Sequence, residues 1–148
     1  MSEGLIGNSD ISGLLVDQAP DAIIFSDLSG TIRVWNAAAE RIFGFVADRA
    51  IGASLDIIIP ESFQEAHWRG FDRAIAESLT KYVGQALPTR ALRADGTEFY
   101  VELSFAIILD DEGKALGSVA HARDIDERYS KERSNRKRLK ELEAELVK

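Results

Sequence analysis

The sequence contains no cysteine. Disulfides, thiolate metal sites and cysteine nucleophiles are excluded together, and the absence fits a cytoplasmic protein. No apolar run approaches the ~18 residues of a membrane-spanning helix. Residues 1–8 hold neither a basic region nor an apolar core, so no secretion signal is expected. There is no phosphate-cradling glycine loop and no kinase or cyclase signature. The Ser, His and Asp residues lie on elements with no evident convergence, so the chain is not expected to be an enzyme. Basic charge is in the minority: 18 Lys and Arg stand against 25 Asp and Glu, a net charge of −7. Such a balance argues against general nucleic-acid binding.

What is present suits one ordinary domain. The chain has 148 residues, 45% of them apolar, enough for a single core. Residues 11–18 carry Ile11, Leu14, Leu15 and Val16 at roughly helical spacing, with Ser9 or Asp10 as the cap. Residues 21–26 form a compact apolar run read as a strand. Asp27-Leu28-Ser29-Gly30 makes a turn, and residues 31–35 alternate as the second strand of a hairpin. Asn36 caps a helix over 37–43, which Gly44 ends in the left-handed conformation. Two short pieces follow, at 46–49 and 54–57. Pro60 and Glu61 then open a longer helix running to about residue 79. On it Phe63, His67, Phe71 and Ile75 recur at about one turn.

The remainder reads as β. Residues 83–92 are strand-like but carry Pro88, which marks an edge or a bulge. Ala94-Asp95-Gly96-Thr97 is a turn. In the strand over 98–109, Phe99, Val101, Leu103, Phe105 and Ile107 share one face. After a turn at 110–114, residues 115–123 form the last strand, and a charged helix occupies 127–147. The expected fold class is α+β: a five-stranded antiparallel sheet with helices on one face. An N-terminal helix and a C-terminal helix flank it.

The stretches "APDAIIFSDLSGTIRVWNAAAERIFGF", "IGASLDIIIPESF" and "RADGTEFYVELSFAIILDDEGKALGSVAHARDIDER" together resemble a PAS domain over about residues 16–128. Each motif alone is generic, whereas their joint order and spacing are specific. The resemblance implies a cap segment over 1–20, a PAS sensory domain over 21–124 and a signalling helix, the start of a coiled coil, over 125–148. It also implies a ligand pocket between the sheet and the helix after Pro60. Without cysteine, the cysteinyl-flavin photochemistry of some PAS relatives is excluded.

His67 is the candidate site residue. Its helical face carries Phe63 and Phe71, so that face is expected to meet the sheet. A neutral imidazole there can ligate heme iron, with apolar residues packing the macrocycle. The register of Pro60-Glu61 before His67 resembles that of oxygen-sensing heme histidine kinases. Two departures stand beside the resemblance. The glycine and aromatic after the histidine, Gly70 and Phe71, come one residue later. Leu87 occupies the position of the arginine that contacts oxygen in those sensors, and Arg90 is the nearest arginine. Carbon monoxide, nitric oxide and redox state are therefore as open as oxygen. The plain alternative is a half-buried structural histidine. By resemblance, Leu87, Leu103, Phe105, Ala120 and Ala122 complete the pocket wall. The other histidine, His121, is expected on the opposite face of the sheet, and these two histidines alone are too few for a metal site.

At the exit, "RDIDER" resembles the Asp-Ile-Thr signature that ends PAS domains, with Asp126 where threonine is usual. Asp124, Ile125 and Asp126 are the expected signal relay, with Asp124 pairing a basic group or capping the helix. Downstream, Leu139, Leu142 and Leu146 fit a and d spacing. The basic cluster between Lys131 and Lys140 reads as a solvated helix face. The expected function is a sensory module that forms a homodimer through its terminal helices and drives an effector in cis beyond Lys148. Heme is the candidate cofactor, and a cofactor-free dimerisation module is the alternative.

Overall fold

The computed structural model describes residues 8–78 and 86–147. Helix α1 spans Asn8–Asp17, and β1 (Ala22–Asp27) and β2 (Ile32–Trp35) form a hairpin. Three helices follow: α2 (Ala37–Phe43), α3 (Ala47–Ala50) and, after a 3₁₀ turn at Leu55–Ile58, α4 (Glu61–Glu77). Strands β3 (Leu87–Leu92), β4 (Glu98–Leu109) and β5 (Ala115–Asp124) lead into α5 (Asp126–Leu146). The five strands make one antiparallel sheet in the order β2-β1-β5-β4-β3. The helical segment therefore crosses from one edge of the sheet to the other, which lays it over one face.

Local chemistry sets the boundaries. Asn36 accepts from the Ala39 backbone at 3.0 Å and caps α2. The same oxygen accepts from Ile23 N at 2.9 Å, and the amide nitrogen donates to Val16 and Asp21 carbonyls at 2.8 and 3.0 Å. A buried amide with this full set of partners ties α1, β1 and α2 together. Gly44 closes α2 at φ 87°, a conformation that costs glycine little. Pro88 lies inside β3, tolerated because β3 is an edge strand.

Some boundaries move. α1 starts at Asn8, so Ser9 and Asp10 lie within its first turn rather than capping it. α4 ends at Glu77, where Ser78 turns left-handed at φ 56°. The expected helix end at residue 79 and strand start at 83 fall outside the described residues, and β3 runs from Leu87.

The core lies between the sheet and the crossing helices. Phe43, Ile24, Ile32 and Val101 are essentially fully buried, each stabilising by about 1.5–3 kcal/mol relative to exposure. Phe43 meets Trp35 at 5.5 Å and Phe99 at 5.6 Å between ring centroids, bridging β2 and β4 from α2.

Candidate functional site

Sheet register places the expected wall residues of the sheet on one face. Leu87, Leu103, Ala122 and Ala22 lie in one row across four strands. Phe105, Ala120 and Ile24 make the next row. A third holds Ile107, Ser118 and Ser26, where the two serine hydroxyls bond at 3.2 Å. Because side chains alternate along a strand, all three rows face the crossing helices. Ala22, Ile24, Ser26 and Ala122 are buried. Leu87 and Phe105, by contrast, remain 38% and 37% exposed, so the β3–β4 side of this apolar face is incompletely covered. His121 pairs with Ile23 and Ser104 on the opposite face and is exposed.

α4 lies over this face, and its buried stripe differs from the expected one. Steps of four residues rotate by about 400°, so each drifts some 40° around the helix. Phe63 is thereby about 80° from Phe71, and it is 44% exposed. Phe63 is not a buried wall residue. The inward positions are His67, Trp68, Phe71 and Ile75.

Trp68 anchors the helix. Its indole N–H donates to Asp56 Oδ1 at 2.7 Å, and its benzo ring lies against Gly30, leaving no room for a Cβ there. Gly30 sits at φ 80° in the β1–β2 turn. There the Asp27 carboxylate accepts from Ser29, Thr31 and Arg33, which holds its pKa well below the ordinary carboxylate range. The Trp68–Gly30 contact places this part of α4 at the end of the sheet where Ser26 and Ser118 pair.

His67 is half-buried between the rings of Trp68 (4.7 Å) and Phe71 (6.1 Å). Burial pushes its pKa down, with Asp56 opposing, so the imidazole is neutral at pH 7. Its Nδ1 is buried and has no hydrogen-bond partner among the described residues. A buried polar atom of this kind costs free energy until something bonds it.

The exit from the sheet is fully engaged. Asp124 Oδ2 pairs with Arg93 Nη2 at 3.0 Å, while Oδ1 accepts from Asp126 N at 2.9 Å. Asp124 thus pairs a basic group and accepts from the first backbone N–H of α5, whose N-cap position is Ile125 with no side-chain cap. Arg93 also donates to the Ile42 carbonyl at 2.6 Å and stands 3.7 Å over the Phe99 ring. Ile125 is buried and donates its N–H to Tyr100 O at 3.1 Å. Asp126 Oδ1 accepts from Tyr100 N at 2.9 Å. Arg123, one residue before Asp124, pairs with Asp21 at 3.1 Å, so the strand end is held at both the β1 and the β3 side.

Sequence reasoning missed Trp68, Asp56, Arg93 and Tyr100. Trp68 stands three residues before Phe71, a helical spacing that is legible. The partners of the others are 12 to 31 residues away in sequence, and no local pattern reports them.

The sequence matches the PAS fold family over residues 16–130. Sensor protein FixL of Bradyrhizobium diazoefficiens is 32% identical over 128 residues, covering 86% of this chain and 24% of that protein. An uncharacterised protein of Azorhizobium caulinodans is 34% identical over 137 residues, covering 90% of this chain and 18% of its own length. The chain thus spans a quarter or less of these relatives. Among solved structures, the PAS domain of a protein from Colwellia psychrerythraea superposes with a TM-score of 0.71 at 22% identity, covering 82% of this chain and 99% of that one. An RNA-binding Light-Oxygen-Voltage receptor gives 0.70 at 22% identity, covering 98% and 41%. With the family match spanning most of the chain and the sheet order and helical crossover in place, the chain belongs to the PAS fold family.

Proposed function

We propose that this PAS domain senses a ligand held between α4 and the sheet, with His67 in the wall of the site. The observation that carries the reading is the buried His67 Nδ1, unbonded among the described residues. The apolar face of the sheet is incompletely covered at Leu87 and Phe105. Heme suits these residues by type. A neutral imidazole is the ligating form, and Phe71, Leu103, Phe105, Ala120 and Ala122 offer the apolar packing a macrocycle needs. The register of Pro60-Glu61 and His67 adds the resemblance to oxygen-sensing heme kinases. Leu87 brings no hydrogen bond to the wall, so any preference among bound gases rests on other side chains. When bound, heme supplies an iron whose gas ligation or redox state is the signal. The protein's own part is to orient His67 through Trp68 and Phe71 and to exclude water from the slot.

The output runs through Asp124, Ile125 and Asp126 into α5. Asp124 is shared between Arg93 and the first turn of α5. A change in the sheet that alters the Arg93 contact therefore reaches the helix directly. The event must favour one packing over the other to move anything. Leu139, Leu142 and Leu146 are 57%, 40% and 86% exposed at a and d spacing, which suits a homodimer through the terminal helices. An effector in cis, rather than this segment, carries any catalysis.

A second reading is a cofactor-free dimerisation module. It is favoured by the packing of Trp68, Phe71 and Ile75 against the core, which already seats α4 on the sheet. The absorbance spectrum of protein titrated with hemin separates the two. A Soret band at one heme per chain that is lost in His67→Ala is expected. No specific band would leave the cofactor-free module.

A further inference from the structure

The cluster around the Tyr100 side chain lies on the face of the sheet opposite the expected pocket, while the Tyr100 backbone bonds Ile125 and Asp126 at the exit. We infer that Tyr100 is the docking post of α5, a positioning residue that sets the direction in which the output helix leaves the sheet. The inference rests on the reading of α5 as the signal exit.

The backbone bonds at the exit fix only where α5 begins. Ile125, the residue before the helix, has φ −119° and ψ 15°, outside the helical region, and is a natural pivot. What fixes direction is a contact one or two turns further on. Tyr100 provides it. Its ring meets the Tyr129 ring at 4.4 Å, and its hydroxyl accepts from Arg133 Nη1 at 2.6 Å. Tyr129 and Arg133 are one turn apart and share a helix face. From the other side Arg90 on β3, the register partner of Tyr100, donates to the same hydroxyl at 3.3 Å. The guanidinium carbons of Arg90 and Arg133 lie 5.6 and 5.7 Å from the Tyr100 ring centroid, within cation–π range. Arg128 reaches Glu102 on the same strand at 3.5 Å, in an exposed pair that adds little.

Docking ends there. Residues 130 to 147 are exposed. The root of α5 adjoins an open cleft lined by Arg93, Arg123, Glu127 and Lys131, among others. The 21-residue helix is about 30 Å long. A small rotation about Ile125 therefore moves its far end by many times the displacement at Tyr129. Holding Tyr129 and Arg133 is the economical place to control that lever. The phenol hydroxyl is the Tyr100 atom that hydrogen-bonds both arginines, so Tyr100→Phe removes those two bonds and retains the ring contacts.

The test uses the full chain with no ligand added. Because the sequence has no cysteine, spin labels placed by Asp111→Cys and Glu143→Cys report the sheet-to-helix distance without background. Labelled protein is diluted in unlabelled protein to suppress contacts between copies. Tyr100→Phe is expected to broaden the distance distribution and to speed amide exchange in residues 127–134 about five- to tenfold. Exchange in β4 and β5 and the melting temperature should stay as in the parent. Arg133→Gln should do the same, and the double variant no more than either alone. Unchanged distributions in both single variants would overturn the inference. So would broadening that comes with equal opening of the sheet, because Tyr100 would then be a structural residue only. Neither outcome touches the hemin spectrum, and a failed hemin titration leaves this measurement intact.

Discussion

His67 sits between two aromatic rings with one ring nitrogen sealed from water and unbonded among the described residues, and this has a consequence for pH. Burial lowers its pKa below the ordinary 6.5. As pH falls through about 6.5, the unfolded chain takes up a proton that the folded chain resists. The stability associated with the neutral imidazole is complete above that pH. It is lost as pH falls towards the depressed folded value. Urea denaturation at pH 7.5 and 5.5 is expected to show a larger loss for the wild type than for His67→Leu. Equal losses would mean that the folded imidazole is not held neutral. The neighbouring anchor makes a separate prediction. Gly30→Ala demands a left-handed alanine and a Cβ inside the Trp68 ring, so it should destabilise by about 2 kcal/mol or more. Trp68→Phe loses only the bond to Asp56 and part of the ring, at about 1–2 kcal/mol. If Gly30→Ala were as mild as an ordinary surface change in thermal melts, the Trp68 anchor would be misplaced.

Among the elements, those written in local chemistry are legible in the sequence alone. Asn36 and Gly44 bracket α2, the Asp27 to Gly30 and Asp95-Gly96 turns separate the strands, and alternation along β4 names its inner face. α4 is legible as a helix but not in its rotation. A repeat of four residues is close enough to one turn to look like a stripe, and over two turns the drift carries Phe63 to the rim. The twist accumulates only slowly along the chain, so the discrepancy falls at Phe63 and not at His67. Alternation groups Leu103 with Phe105 and Ala120 with Ala122 within their strands, and the resemblance to PAS domains turns the alanines towards the expected pocket. How far Leu87 and Phe105 are covered depends on where the crossing helices settle, which no strand pattern records. The exit segment is legible as a helix start and an ion pair, but the identity of Arg93 is not, since it lies 31 residues from Asp124. That pair is about one-third exposed on both sides, so its own worth is modest. A double-mutant cycle of Asp124→Asn and Arg93→Met should give a coupling of about 0.5–1 kcal/mol that shrinks in high salt. A coupling of zero at low salt would remove the Arg93 contact from the relay.

Two separate things hold the domain and, in the proposed function, aim its output. The sheet and crossing helices enclose the core around Phe43, Ile24, Ile32 and Val101, and no described residue of α5 is buried. Removing residues 135–148 should therefore leave the melting temperature of the domain nearly unchanged while reducing self-association. Leu139→Glu with Leu142→Glu should reduce it equally, as read by sedimentation velocity. Association that survives both changes would place the contact between copies elsewhere, for instance on α1, where Leu14 and Leu15 are 41% and 65% exposed.

In the proposed site a ligand is held between α4 and the sheet at His67. Nitrogen-15 resonances of the His67 ring, recorded during titration with hemin, test it most directly. A neutral ring is expected in the free protein, with signals that move or broaden away as one equivalent of hemin is added, while those of His121 on the opposite face stay in place. A His67 ring that is unchanged at saturating hemin would rule out heme ligation by His67. A ring already protonated at pH 7 would contradict the buried site itself.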